Sequence, residues 1–295
     1  MTQKKKEPDD QTPSLREHPS TYFVQDRSNL DEMTRLQIQD QMLTAGMGGV
    51  LPEQSNPTIF QQVLDVGCGT GGWLIEAAKT YPHMTLLIGI DISDKMLDYA
   101  RTQAEAQGVS DRIEFASMDA LRMLEFPGNF FDLVNQRCCG SFLRTWEWPK
   151  LLSEYQRICK PGGVIRVTEP EILHQSNSLA LTSFFDMFQC AMFRSGHLFE
   201  EQTTGIIAHL PRLLTQLGCQ QVQSKAYTLE YPAGTAAGQA YYQDGIHAFR
   251  TLRPFLQKWG CVTRDYDALY QQMLSEMQQP DFVATWNLLT AWGTN

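Results

Sequence analysis

From about residue 62 onward, short apolar runs alternate with segments whose apolar residues recur every three or four positions. Val63-Leu64-Asp65-Val66 is the first run, and glycines follow it, as expected of a buried strand entering a tight turn. Leu74, Ile75, Ala77 and Ala78 then share a helical face that Pro82 closes. Residues 85–91 form a second apolar run. Ser93 suits the N-cap of the next helix, in which Met96, Leu97, Ala100 and Ala104 point one way. Gly108 stands where a helix C-terminus favours glycine. Residues 113–118 and 131–135 read as a third and a fourth strand. Pro149 suits the first position of a helix with Leu151, Leu152, Tyr155 and Ile158 inward, and Pro161-Gly162-Gly163 stops it before a fifth strand at 164–167.

This alternation predicts parallel βαβ units with right-handed crossovers, hence a doubly wound α/β sheet. Ligands of such sheets lie beyond the carboxyl ends of the strands. Asp65, Asp91, Asp119, Asn135 and Glu169 stand at those ends. Outside this region the pattern changes. Residues 1–20 are polar and predict a flexible tail. Residues 30–43 predict an amphipathic helix, part of an N-terminal helical cap over 21–60. Residues 178–193 predict a helix that is apolar around much of its circumference, a sign of burial or of covering a ligand. Helices are also expected at 206–217, 236–258 and 265–279, and late strands at 222–231 and 282–292.

The chain has 295 residues, 42% hydrophobic and 19% charged, which excludes collagen-like, coiled-coil and wholly disordered architectures. Its net charge of −9 gives no positive field for nucleic acid or anionic lipid. No apolar run reaches the ~18 residues of a membrane span, and MTQKKKEPDD lacks the apolar stretch of a secretory signal. The seven cysteines are odd in number and form no CxxC pair, so neither a disulfide framework nor a zinc site is expected, and a cytoplasmic location is. The six histidines form no HxxxH or HxH pair, so no metal is expected.

Gly67-Cys68-Gly69-Thr70-Gly71-Gly72 satisfies GxGxxG, which suits any of several nucleoside ligands. Asp65, two residues ahead of the first glycine, would repel a pyrophosphate and attract an ammonium. Asp91 can take both ribose hydroxyls, and Asp119 can accept from an adenine amino group. Cys68 reads as a small filler within the loop.

With its flanks, Val63-Leu64-Asp65-Val66-Gly67-Cys68-Gly69-Thr70-Gly71 resembles the cofactor motif of class I S-adenosylmethionine-dependent methyltransferases. Gly89-Ile90-Asp91-Ile92-Ser93 resembles their ribose-binding strand end. Met118-Asp119-Ala120 resembles their adenine contact. Phe131-Asp132-Leu133-Val134 and Lys160-Pro161-Gly162-Gly163 resemble their fourth strand and the turn before the fifth. The chain is most similar to the small-molecule branch, with its ubiquinone- and sterol-type and natural-product enzymes of secondary metabolism. The resemblance implies a Rossmann-like, mostly parallel seven-stranded sheet with an antiparallel last strand and extra helices forming a substrate cap. The methyltransferase domain would span 61–295, with substrate-covering inserts at about 171–205 and 232–265.

The implied cofactor is S-adenosyl-L-methionine, held by Tyr22, Asp65, Gly67, Cys68, Gly69, Asp91, Ile92, Met96, Met118, Asp119, Ala120, Asn135 and Arg137. The implied partner is a small, apolar or aromatic methyl acceptor against Arg137, Phe184, Phe188, His197 and Tyr241, in a monomer or homodimer. His174 and Glu171, just past the fifth strand, are the candidate catalytic bases. Two rival readings are a cofactor-binding protein of this fold that has lost methyl transfer and promotes a rearrangement, and a dinucleotide-dependent oxidoreductase.

Overall fold

The computed structural model describes residues 22–24, 30–203 and 205–295. The tail expected at 1–20 lies outside the described residues. The strands β1 (Gln62–Val66), β2 (Leu86–Asp91), β3 (Ile113–Ser117), β4 (Phe131–Arg137) and β5 (Cys159–Pro170) are parallel in the order β3-β2-β1-β4-β5. The last strand, β8 (Val283–Thr294), pairs antiparallel with β5 and with β7 (Gln220–Pro232). A two-residue strand, β6 (Gln175–Ser176), also pairs with β8, so the sheet has eight strands rather than the seven expected. That addition is too short for any periodicity to announce.

β1, β2 and β4 bury successive side chains on opposite faces, which is why their apolar runs are nearly continuous, whereas the edge strand β3 is partly exposed. Val63, Leu87 and Leu133 pack on one face with Trp73, Leu74 and Ala78 of α2 (Gly72–Thr80) and Ala104 of α3 (Asp94–Ala106). Leu64, Ile90 and Val134 pack on the other with Leu151 and Tyr155 of α4 (Trp148–Ile158) and Leu214 of α6 (Leu210–Leu217). The sheet is therefore doubly wound.

A third apolar core lies apart from these two. It joins α1 (Leu30–Met47), α5 (Leu179–Arg194), α7 (Ala236–Lys258) and α8 (Tyr266–Glu276) with the ends of β7 and β8. Phe184 stacks on Phe249 at 4.0 Å between ring centroids, locking α5 to α7. Cys190 on α5 and Cys261, just past α7, form a disulfide across a separation of 71 residues. This corrects the expectation of no disulfide. Two cysteines far apart in sequence meet only because their helices pack together, and sequence spacing carries no trace of that. The bridge also removes the cysteine argument for a reducing compartment. Among the described residues, no helix is long and apolar enough to cross a membrane.

Candidate active site

The glycine loop between β1 and α2 is held in a shape that its residues dictate. Gly67, Gly69 and Gly71 have φ of 68°, 52° and 74°, in the left-handed region that side chains avoid. A side chain at Gly67 would also meet the Cys139 thiol at 3.0 Å. Asp91, ending β2, clamps the loop: Gly69 N donates to its Oδ2 at 3.0 Å and Ser93 N to its Oδ1 at 2.8 Å.

A cleft of about 150 Å³ opens at the strand ends. Gly67, Gly69, Asp91, Ile92, Met96, Met118, Asp119 and Ala120 line it, as the sequence predicts, together with Tyr22 and Arg137. Ile92 is half exposed and Met96 is buried, so the cleft carries apolar side chains both at its rim and in its depth. Asp119 accepts from Leu121 N at 2.9 Å, which tightens its own turn. Next to the cleft, Asp65, Cys68 and Thr70 line a smaller cavity of about 80 Å³ that shares Gly67, Gly69 and Arg137 with it. Burial pushes the Asp65 carboxyl up to about 7, against a hydrogen bond from Asn135 Nδ2 at 2.7 Å and the nearby charge of Arg166. Burial likewise keeps the Cys68 thiol protonated, which fits a filler rather than a nucleophile.

Asn135 lines neither cavity. It lies within the sheet, fully buried, between Asp65 and Arg166. Arg137 does reach the cleft, where it pairs with Asp40 and donates to Thr44 Oγ1 at 2.9 Å, both on α1. Tyr22 spends its hydroxyl on Glu32 of the same helix. The sequence gives α1 no site residue, yet Leu36 lines both the cleft and the smaller cavity and Asp40 lines the smaller one.

A second cavity, of about 140 Å³, lies under α1, α5 and α7. Phe184, Phe188, His197 and Tyr241 line it together with Glu171 and His174, whereas Arg137, also expected against the acceptor, lies in the cleft and not here. His174 sits between Phe185 and Trp286, with ring centroids at 4.1 and 4.3 Å, and its Nδ1 shares a 2.6 Å hydrogen bond with the Tyr241 hydroxyl. Burial holds its pKa well below the usual histidine range, so the ring is neutral at pH 7. Glu171 is tethered to β8: its Oε2 accepts from Asn287 Nδ2 at 2.9 Å. His197 Nδ1 is within 2.7 Å of the Ser195 hydroxyl.

The sequence places Glu169 at a strand end without giving it a role, and gives Asp244 no signal at all. Glu169, at the end of β5, is 2% exposed and lines this cavity, and Asp244 of α7 does so from the opposite side. Cys138 sits where the cavities meet and lines all three. Its φ of 59° is rare for a side-chain-bearing residue and marks a backbone held in place by its surroundings. Tyr22 and Ser141 also border both the cleft and the second cavity.

Residues 63–163 match the family described as a methyltransferase domain. Sterol 24-C-methyltransferase ERG6B of Gibberella zeae is 38% identical over 112 residues, which is 37% of this chain and 27% of that protein. Aklanonic acid methyltransferase DauC of a Streptomyces species is 36% identical over 124 residues, 42% of this chain and 54% of that protein. The chain thus spans about half or less of the length of these curated relatives. A phosphoethanolamine N-methyltransferase structure from Haemonchus contortus, with S-adenosylhomocysteine bound, aligns with a TM-score of 0.50. It is 20% identical and covers 92% of this chain and 60% of that one, a likeness of fold. Over residues 63–163 the chain is thus similar to methyltransferase domains, and its fold is like that of the Haemonchus structure.

Proposed function

We propose that this protein uses S-adenosylmethionine to methylate a small acceptor with an apolar or aromatic body. One observation carries the reading: an aromatic cavity shares the wall of Tyr22, Cys138 and Ser141 with the cleft at the carboxyl ends of the strands. An acceptor in the first would lie against a nucleoside in the second.

The residues present suit that cofactor. Asp65 is a buried carboxylate beside the glycine loop, placed to answer an ammonium and hostile to a pyrophosphate. Asp91 is fixed by two backbone donors and lines the cleft, where a carboxylate suits ribose hydroxyls. Ile92, Met96 and Met118 supply apolar contact for a base, and Asp119 an acceptor beside it. Arg137 also faces the cleft, with Asp40 and Thr44 of α1 engaging its guanidinium. When bound, the cofactor would supply an electrophilic methyl group whose leaving sulfide is neutral. The protein then has to bind, align and exclude water, and α1, α5 and α7 close the cavity for that purpose. His174 and Glu171 stand in the same cavity as candidate proton acceptors.

The acceptor cavity is near the ~150 Å³ void that admits one benzene ring in an engineered protein core, so it suits a single-ring acceptor. Titration with S-adenosylhomocysteine, followed by calorimetry and thermal shift, tests the cofactor assignment, with NADH as the rival ligand. A transition that rises with S-adenosylhomocysteine concentration supports it. No heat and no shift at millimolar ligand, or a response to NADH alone, would defeat it. A screen with tritiated-methyl cofactor against single-ring metabolites then tests transfer itself.

A further inference from the structure

Among the described residues, the wall of the acceptor cavity is mostly apolar and carries three carboxylates, Glu169, Glu171 and Asp244, against one arginine. Glu169 leaves β5 into its wall with both carboxylate oxygens engaged only by neutral donors. Gln136 Nε2 and Cys139 N reach Oε1 at 3.1 and 2.8 Å, and Gly140 N reaches Oε2 at 3.1 Å. No lysine, arginine or histidine pairs with it among the described residues. Asp244, 6% exposed, has Arg35 as its ion-pair partner at 3.4 Å. That guanidinium is already committed, since its Nε and Nη2 both bond Glu32 at 2.9 Å. Arg35 is also the one lysine or arginine lining the cavity among the described residues. Glu171 adds a third carboxylate to the wall, and His174 is neutral.

Burying a carboxylate without a cation is costly, and such groups concentrate at functional sites. Here burial pushes Glu169 up to about 7 and Asp244 up to about 6. Around them stand the rings of Tyr22, Phe185, Phe188, Tyr241 and Trp286. Ring faces attract cations as well as apolar surface.

We infer that the acceptor is an organic amine with a hydrophobic or single-ring body, carried in as its ammonium ion, with Glu169 answering the charge and Asp244 adding to the negative field. The inference rests on the acceptor cavity proposed above and names its substrate class. Among the described residues the wall holds no uncommitted lysine or arginine, so a phosphorylated or carboxylated acceptor meets Glu169, Asp244 and Glu171 there instead. Before its nitrogen can accept a methyl group, the ammonium gives up one proton. Its N–H bond breaks, the electron pair stays on nitrogen, and Glu169 is placed to form the new O–H bond.

The test uses the full chain saturated with S-adenosylhomocysteine and three probes of similar size: 2-phenylethylamine, 2-phenylethanol and 3-phenylpropionate. Their affinities are measured by calorimetry at pH 7.5 in the native protein, Glu169→Gln and Asp244→Asn. The amine should bind about tenfold or more tightly than the alcohol, as a charge-assisted hydrogen bond allows, and the carboxylate least well. Glu169→Gln should erase most of that preference, and Asp244→Asn should reduce it. Equal affinity for amine and alcohol, preference for the carboxylate, or no amine binding at 10 mM would overturn the inference. So would a preference that survives both substitutions. If Glu169→Gln fails to fold, the native comparison and Asp244→Asn decide. Binding of S-adenosylhomocysteine is recorded in every protein, so its loss in the native chain indicts the cofactor reading and not the amine.

Discussion

Asn135 donates a 2.7 Å hydrogen bond to Asp65, and Arg166 fixes the direction of that bond. The Arg166 Nη1 donates to Asn135 Oδ1 at 2.7 Å, so the amide nitrogen has to face the carboxylate. Glu53 holds the guanidinium from behind, at 2.7 and 3.2 Å. The three residues stand side by side because β1, β4 and β5 pair Asp65 with Asn135 and Asn135 with Arg166. A buried chain thus runs from Glu53 to the carboxylate beside the glycine loop.

Removing the middle of that chain should weaken cofactor binding although Asn135 lines neither cavity. Asn135→Ala strips Asp65 of its donor, a bond worth about 1.5–3 kcal/mol when the acceptor is charged. Affinity for S-adenosylhomocysteine at pH 7 should fall about tenfold or more. The deficit should shrink at pH 8.5, where Asp65 ionises even without its donor. Isothermal calorimetry at both pH values reads this directly, and an unchanged dissociation constant at pH 7 would detach Asp65 from the cofactor.

The buried carboxylates also set a pH dependence of stability. Asp65 and Glu169 are pushed up to about 7, and Asp244 to about 6, in each case chiefly by burial. A carboxyl whose pKa is higher folded than unfolded binds more protons in the native state between the two values. Stability from these groups is therefore present below about pH 4 and is lost as pH rises toward 7, by at most ~1.4 kcal/mol per pH unit for each titrating group. Glu53 and Asp132 have the opposite sign, held low by Arg166 and by Lys160, and they lose stability as pH falls below about 4.5. The urea midpoint should thus peak near pH 5 and decline to pH 8. In the Asp65→Asn, Glu169→Gln double variant that decline should flatten. A native midpoint that rises from pH 5 to 8 would contradict the assignment.

What was legible in the sequence follows the range of the interactions involved. The glycine loop, Asp91 and Asp119 were readable because a strand, a turn and a helix cap define them within a few residues. Asn135 was assigned to the cofactor from its place at a strand end, but strand register turns its side chain toward Asp65 and Arg166 instead. Leu36 and Asp40 had no signal, because their helix comes to the cleft from a segment separated from the glycine loop by more than a turn of chain. Glu169 was visible as a strand-end residue. Its lack of a cation partner emerges only once α5 and α7 are packed over it.

The disulfide makes a separate prediction about the cap. Closing a loop of 71 residues limits the unfolded chain, by about 4 kcal/mol in the entropic account. Thiol titration of the unfolded, unreduced protein should find five free cysteines, Cys68, Cys138, Cys139, Cys159 and Cys219. Cys190→Ser should lower the melting temperature while leaving affinity for S-adenosylhomocysteine close to native, since the bridge ties α5 to the end of α7 and touches neither the glycine loop nor Asp91. Seven titratable thiols would refute the pairing.

The last prediction concerns His174, whose position and basicity pull in different directions. Its position suits a general base, because it lines the acceptor cavity at the exit of the sheet. Its surroundings weaken it as one. The ring is pressed between Phe185 and Trp286, its Nδ1 is taken up by Tyr241, and burial opposes its protonation. A ring with so low a pKa has little driving force to take a proton at pH 7. Its aromatic face and its contacts therefore matter more than its nitrogens. His174→Phe should keep the stack and lower the maximal methyl-transfer rate by less than about tenfold, whereas loss of a true general base costs ~10²–10⁴. His174→Ala should cost more in stability, about 2–4 kcal/mol for the void left between two rings. Both variants are measured as maximal rate across pH 6–9, with cofactor affinity and urea midpoint recorded alongside. A drop of a hundredfold or more in His174→Phe, with the acidic limb of the native pH profile gone, would make the histidine the base and return it from the wall to the chemistry.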